Sequence, residues 1–227
     1  MKPIYKPKGA AKEYGDFALN IYTGCPHRCY YCFAPQVLHR DREQFHSVVE
    51  PRPNIVEETK KQVERENITG KLIHLCFTCD PYPTGYDTNP TRKIIEVLKG
   101  NGNHVQILTK GDGSRDFDLL DRSDWYGVTL DGIGKMPEIG VEGLYKAKER
   151  GIKTWISFEP VCDEKNVLSL LQLVGETKCA DRVKIGKLNY HFSNIDWKKF
   201  GREAEKICQR YNLDYYIKDS LRKEMDK

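Results

Sequence analysis

The sequence predicts an α/β fold in which a mostly parallel sheet curls into a full or partial barrel. Two observations carry that expectation. From about residue 70 onward, short apolar runs rich in β-branched residues alternate with helical patterns of ordinary length. Each strand-like run also ends in a turn or polar cluster, and right-handed crossovers between such strands give either a (β/α) barrel or a doubly wound sheet. No repeat, low-complexity tract or long linker interrupts the pattern, so residues 1–227 read as one domain.

Residues 1–18 carry Pro3, Pro7, Gly9 and Gly15 and read as an irregular N-terminal arm. Asn20–Thr23 is expected to be a short strand that delivers the chain into a cysteine-rich loop, and the polar stretch Gln36–His46 has helical character. Pro51 and Pro53 mark a boundary before a helix that opens at Asn54, the expected N-cap, and closes before the turn at Asn67 to Gly70. Strands are then expected at Lys71–Phe77, His104–Thr109, Trp125–Leu130, Lys153–Phe158 and Arg182–Gly186. Helices fall between them at Thr91–Lys99, Phe117–Asp121, Gly140–Arg150 and Val167–Val174. Trp197–Tyr211 is a further helix, and Tyr215–Ile217 closes the pattern before a charged tail. The expected division is a barrel core over 19–190 and a C-terminal helix and tail over 191–227.

A hydrophobic fraction of 39% with 31% charged residues fits a globular chain with a substantial core. Apolar runs such as Leu72–Phe77 are strand-length, far short of a membrane span, and no secretory signal is evident behind Met1. A cytoplasmic, membrane-free protein is expected. Its eight cysteines then point to ligation or chemistry rather than to a disulfide framework. The net charge of +4 permits a polyanionic partner without requiring one.

Cys25, Cys29 and Cys32 lie within eight residues, spaced C-x3-C-x2-C. A structural zinc would take four tetrahedral ligands from two knuckles. A second knuckle is poorly supplied, because Cys76 and Cys79 straddle the end of an expected buried strand. An iron–sulfur cluster fits better, since soft thiolates suit it and three cysteines leave one iron open to an exogenous ligand. Other reactive side chains recur at expected strand ends: Cys76 to Asp80, Thr109-Lys110, Thr129 and Asp131, Ser157 and Glu159, Lys187 and Asn189. In parallel α/β folds, reacting groups gather at those ends.

The cysteine spacing, with aromatic Tyr31 just before the third cysteine, resembles the motif of the radical S-adenosylmethionine (SAM) enzymes. The resemblance implies a partial (β/α)6 TIM-type barrel of the radical SAM type. It also implies a [4Fe–4S] cluster on Cys25, Cys29 and Cys32, SAM chelated to the fourth iron, and a reductant such as flavodoxin or ferredoxin. More narrowly, Tyr22–Ala34, Thr78–Tyr82, Ile107–Lys110 and Arg115–Leu120 are similar to blocks of the spore photoproduct lyase-like family, over about residues 20 to 130 and more loosely to about 190. By that resemblance Tyr31 would lie near the adenine and Phe33 beside the active site. Thr78 and Asp80 would stand where many relatives carry a glycine-rich stretch for the methionine amine, which this chain lacks. Lys110 would pair with the methionine carboxylate, Thr129 would offer a hydroxyl near the ligand, and Glu159 would bind a substrate or ribose hydroxyl. In the lyase a cysteine returns a hydrogen atom to the product radical; Cys76 is the better match and Cys79 the alternative. A nucleic acid (DNA or RNA) or a nucleotide-type molecule would be the substrate, with Trp155, Glu159 and the run Lys184–Tyr190 at the late strand ends near it. A peptide or small-metabolite modifier, and a non-catalytic Fe–S or zinc module, are the competing readings.

Overall fold

A computed structural model describes residues 2–133 and 138–227. Its frame is one eight-stranded sheet whose spatial order follows the chain: β1 (Ile4–Tyr5), β2 (Phe17–Leu19), β3 (Leu72–Leu75), β4 (His104–Thr109), β5 (Trp125–Thr129), β6 (Lys153–Phe158), β7 (Arg182–Ile185) and β8 (Asp214–Ile217). β1 pairs antiparallel with β2, and every later neighbour is parallel. Among the described residues no pairing joins β8 to β1, so the parallel strands form a partial barrel.

The helices are α1 (Ala34–Val37), α2 (Arg42–Ser47), α3 (Ile55–Glu66), α4 (Asn89–Gly100), α5 (Glu138–Glu149), α6 (Glu164–Thr177), α7 (Trp197–Arg210) and α8 (Asp219–Met225). From α3 to α7 they fill the crossovers, with a 3-10 turn, Ser114–Leu119, standing between β4 and β5 and α8 following the last strand. Among the described residues no helix is long and apolar enough to cross a membrane.

The alternation of each strand explains the layers. Ile73, Leu75, Val105, Ile107, Val128, Ile156, Val183 and Ile185 share the buried outer core with Ile94, Leu98, Leu144, Leu171 and Phe200 of the helices. The register puts Ala18, His74, Gln106, Gly127, Trp155, Ser157, Lys184 and Tyr216 on the other face, which lines the barrel interior. That face is polar, and Tyr14 occupies the interior against it. The Tyr14 ring lies 5.5 Å from His74, 5.7 Å from Phe77 and 5.9 Å from Trp155.

Several expectations need correction. The arm over 1–18 is not irregular: Ile4–Tyr5 pairs with the sheet, Gly9–Glu13 is a 3-10 turn, and the first parallel strand starts at Phe17. That strand ends at Leu19, before the expected Asn20–Thr23, because Asn20 turns away. Its Oδ1 accepts the Phe77 and Thr78 amides and its Nδ2 donates to Tyr5 Oη. The parallel strands number seven rather than six, since β8 joins β7 and α8 follows. The stretch 191–227 is therefore part of the barrel and not a helix with a tail. Gln36–His46 is two helices broken at His39, where φ is +51°, with Asp41 accepting the Gln44 amide as the cap of α2. Asn54 precedes α3 as expected but in a left-handed conformation, with no side-chain cap.

Trp155 is a further correction, because it is interior packing and not a substrate surface. It is 1% exposed, and its indole lies across Gly127 to donate to Ile107 O at 2.9 Å. A Cβ at Gly127 would stand 2.2 Å from Trp155 Nε1. Gly127→Ala is therefore expected to destabilise by about 2–3 kcal/mol in urea unfolding through overpacking. Gly100→Ala, with open space around its Cβ, should change stability by less than about 1 kcal/mol in the same measurement.

Candidate active site

The cysteine loop leaves β2 and is pinned from below by α2. The amide of Cys25 donates to Phe45 O at 3.2 Å, and His46 Nδ1 lies 2.7 Å from Cys25 O. Gly24 permits this approach, since a Cβ there would meet Val48 O at 2.3 Å and Phe45 O at 2.4 Å. Arg42 gathers the loop's carbonyls, donating to Cys29 O at 2.5 Å, Tyr30 O at 3.1 Å and Cys32 O at 3.2 Å. The three sulfurs are free and half-buried. Burial pushes the Cys25 and Cys32 thiols up, so thiolates form here only against a compensating cation.

The donor set fits a cluster better than a single ion. A tetrahedral zinc at about 2.3 Å from each sulfur would bring the sulfurs to within about 4 Å of one another. Among the described residues the only three His, Cys, Asp or Glu side chains with ligand atoms all within 4.8 Å are His104, Asp121 and Asp124. Lys99 already bridges the two aspartates of that group, at 2.6 and 2.5 Å. The wider spread of three soft thiolates suits a cube with one iron left open.

Above the loop, residues from three strand ends converge. Lys110, after β4, places Nζ 2.6 Å from Asp131 Oδ2 and 5.6 Å from the Tyr31 ring centroid. Tyr31 donates its hydroxyl to the same Asp131 oxygen at 2.5 Å. Burial, then the Cys29 and Asp131 charges, raise the Tyr31 phenol and keep it a donor. Sequence reasoning noted Asp131 only as a strand-end residue, yet it joins the two expected cofactor contacts. Lys110 keeps two of its three N–H donors for a ligand carboxylate. Thr129 stands at the end of β5 on the interior face, in register with Ser157.

Asp80 differs from its expected position at an open ligand contact. It is 7% exposed and accepts Thr109 Oγ1 at 2.5 Å, Lys110 N at 2.9 Å and Tyr82 N at 2.8 Å, with His27 Nε2 3.1 Å away. Although burial alone would raise it, His27, Thr109 and the Lys110 amide hold its pKa below the usual carboxylate value. Thr78 is half-buried beside it, its amide bonded to Asn20. Glu159 is likewise engaged: Lys218 Nζ reaches its Oε2 at 2.6 Å and the Tyr14 hydroxyl donates to the same oxygen. Gly186 makes room for it, since a Cβ there would meet Glu159 Cδ at 2.8 Å.

Cys76 and Cys79 are neighbours, with Cys79 accepting the Tyr22 amide at 3.4 Å, within the apolar layer beneath the loop's entry. Burial raises the Cys76 thiol; on Cys79, burial is outweighed by Cys76 and the Tyr22 amide. A cysteine given no role by the sequence stands nearer the convergence. Cys162, just past β6, stands close to Tyr30; burial raises its thiol, the Asp131 and Cys29 charges add to the rise, and Tyr30 and Lys110 oppose it. Phe33 is 45% exposed.

Two perturbations follow from this geometry. Asp80→Asn replaces one accepting oxygen with a donor that faces a donor, and is expected to cost about 2–4 kcal/mol in chemical unfolding. Lys184, also in the interior, donates to Glu13 O at 2.8 Å and has its pKa lowered from 10.5 to about 8 by burial, with Lys218 and Arg182 adding repulsion. The unfolded chain then binds a proton that the folded chain lacks between those values, so the Lys184 contribution improves as pH rises from about 8 towards 10.5. Lys184→Met should therefore stabilise the fold at pH 7, by on the order of 3 kcal/mol, with the gain fading towards pH 10.5 in paired thermal melts.

Comparisons with known proteins identify the family and the fold. The family model of the Radical SAM superfamily matches residues 19–162, from the end of β2 to Cys162. The uncharacterized protein ORF301 of Acidianus two-tailed virus is 27% identical over 192 residues, covering 70% of this chain and 63% of its own length. The uncharacterized protein MJ0683 of Methanocaldococcus jannaschii is 25% identical over 232 residues, covering 95% and 83%. Among solved structures, spore photoproduct lyase complexed with dinucleoside spore photoproduct superposes with a TM-score of 0.69 at 12% identity, covering 93% of this chain and 78% of that one. SuiB of Streptococcus suis bound to S-adenosylmethionine gives 0.64 at 16%, covering 88% and 50%. These two likenesses concern the fold. With its cysteine loop inside the matched segment and three free thiols suited to the family's [4Fe–4S] cluster and SAM, the chain belongs to the Radical SAM superfamily.

Proposed function

We propose that this chain cleaves SAM reductively at a [4Fe–4S] cluster on Cys25, Cys29 and Cys32 and acts on a nucleic-acid or nucleotide-type substrate. The observation that carries the catalytic part is the convergence of Tyr31, Lys110 and Asp131 over the cysteine loop. When bound, the cluster and SAM supply a 5′-deoxyadenosyl radical that abstracts hydrogen from the substrate. The chain's own residues bind and orient. Lys110 offers its remaining N–H groups to the methionine carboxylate while Asp131 holds it in place. The Tyr31 ring packs against the adenine, with Phe33 at the margin and the Thr129 hydroxyl near the ligand. Asp80 fixes the Lys110 backbone, Thr78 flanks the methionine amine, and the free oxygen of Glu159 accepts a ribose or substrate hydroxyl. For return of a hydrogen atom, Cys76 and Cys79 are the candidates by family resemblance, and Cys162 is the candidate by its place beside Tyr30.

Support for the substrate class comes from likeness to a lyase seen with a dinucleoside. The peptide alternative rests on the comparable likeness to SuiB, another structure of which is bound to a precursor peptide. The eight cysteines support a reducing, cytoplasmic setting, with a flavodoxin or ferredoxin as electron donor.

Anaerobic reconstitution followed by dithionite reduction should yield 5′-deoxyadenosine from SAM. Failure to do so in protein carrying a full cluster would reject the catalytic role. Lys110→Ala should keep the cluster's absorbance and weaken SAM binding by about 10- to 100-fold, the loss of one charge-assisted pair. Once a substrate is in hand, alanine at Cys76, Cys79 and Cys162 in turn should leave cofactor cleavage intact in all three. The variant whose product is diverted identifies the hydrogen donor.

A further inference from the structure

We propose that the cleft between the cysteine loop and the loop after β7 docks a single unstacked nucleotide, its base against Tyr190 and Phe192 and its phosphate toward Arg40 and Arg42. This site rests on the nucleic-acid substrate class proposed for the chain. The loop from Gly186 to Asp196 leaves the strand end without helix or strand. Within it Tyr190 is 92% exposed and Phe192 89%, while nearly every other large aromatic ring is at least half covered. Two rings this bare, two residues apart, leave apolar faces in water that gain on contact with a planar partner. Tyr190 also holds a left-handed conformation, φ +64°, which bulky side chains seldom adopt.

The loop is tied to the cofactor side through rings. His191 meets Tyr30 edge-on at 5.7 Å, and Tyr30 meets Tyr31 edge-on at 5.2 Å. Between the loops lies a cleft of about 330 Å³ whose walls include Tyr31, Cys32, Arg40, Arg42, Tyr190 and His191, with Phe192 next along the chain from His191 and outside those walls. Lys110, Thr129 and Asp131 do not line it, while Tyr31, Cys32 and Phe33 do, so it lies beside the cofactor site and shares the cysteine-loop wall with it. Its volume is at the small end for a ligand site and suits one nucleotide rather than a duplex.

Charge selects the occupant. Arg40 donates to Thr23 O and Arg42 to the carbonyls of Cys29, Tyr30 and Cys32. Among the described residues neither has a carboxylate partner, whereas neighbouring Arg28 is paired with Glu43 at 2.7 Å. Two unneutralised guanidinium groups beside two exposed rings match a ligand that is both planar and anionic. Stacking on aromatic faces with arginine at the backbone is how unpaired nucleic acid is held.

The test is fluorescence anisotropy of the reconstituted full chain with a labelled oligothymidylate and a duplex of equal length, over a series of salt concentrations. Wild type should prefer the single strand. Tyr190→Ala and Phe192→Ala should each weaken it at least about fivefold, as loss of a base stack does. Tyr190→Trp and Phe192→Trp should stay within about twofold, and Arg40→Ala should reduce the salt slope by about one. Matched cluster absorbance in all variants excludes misfolding. If wild type binds the single strand and the alanine variants bind it equally well, the docking site is overturned and the substrate class stands. If wild type binds neither oligonucleotide at low salt, the substrate class fails and the site with it. Preferential binding of anionic phosphatidylserine vesicles, lost in the alanine variants, would also overturn the nucleotide assignment.

Discussion

Asp80 buries a carboxylate where three segments meet, and the active face is arranged by what that carboxylate demands. Taking an ionised group out of water costs several kcal/mol unless donors replace the lost hydration. Here the replacements are the Tyr82 and Lys110 amides and the Thr109 hydroxyl, with His27 alongside. Those donors come from the β3 loop, the end of β4 and the cysteine loop. Satisfying one charge thus fixes the relative position of all three. Lys110 is then presented to Asp131, and Asp131 takes the hydroxyl of Tyr31. The line from Asp80 to the cysteine loop is made of short polar contacts between strand ends, a more exacting constraint than apolar packing alone.

Beneath that face the barrel solves a different problem. An open, seven-stranded parallel arrangement with a polar inner surface has an interior to fill, and the N-terminal segment fills it with Tyr14. Lys184 and Lys218 lie 4.7 and 4.4 Å from the Tyr14 ring. The phenol hydroxyl meets Ser157 Oγ at 3.2 Å and donates to Glu159, while Gln106 donates to Tyr14 O at 2.9 Å. Burial and the Glu159 charge raise the Tyr14 phenol and keep it neutral. Two ammonium groups share this interior with one phenol, and Glu159 pairs with Lys218 alone. Lys184 pays for that arrangement in its lowered pKa. The segment before β2 is therefore a structural part of the barrel, which its proline and glycine content concealed.

Legibility in the sequence followed how local each signal was. β4 and β6 were readable to the residue because hydrophobic runs bounded by turn residues need no distant partner to be recognised. The Cys25–Cys32 loop was readable because ligand spacing is itself a local property. Phe17–Leu19 and Asp214–Ile217 were misplaced or underrated because short strands are defined by neighbours far along the chain. Asp80 and Glu159 were placed at the correct strand ends. Their engagement with Lys110 and Lys218 depends on separations of 30 and 59 residues, which no spacing rule exposes. Asp131 and Cys162 carried no motif, and only the fold brings them to Tyr31 and Tyr30.

The distribution of these groups along the chain separates two tasks. The polar contacts around Asp80 and Asp131 come from the earlier strands: the loop after β2, the ends of β3 and β4, and Asp131 after β5. The bare rings, the free Glu159 oxygen and Cys162 come from the loops after β6 and β7. A fold retained at 12% identity fixes backbone paths while nearly every side chain changes, so likeness of frame says little about what is bound at the rim. The early strand ends are held to one geometry by the polar contacts around Asp80 and Asp131. Gly186–Asp196 has no such duty, since few polar contacts tie it down and its aromatic rings face solvent. A loop that bears exposed rings beside unneutralised arginines, yet contributes little to the core, is explained by contact with something other than this chain. That freedom is what allows one barrel to serve different substrates by changing the loops after its last strands.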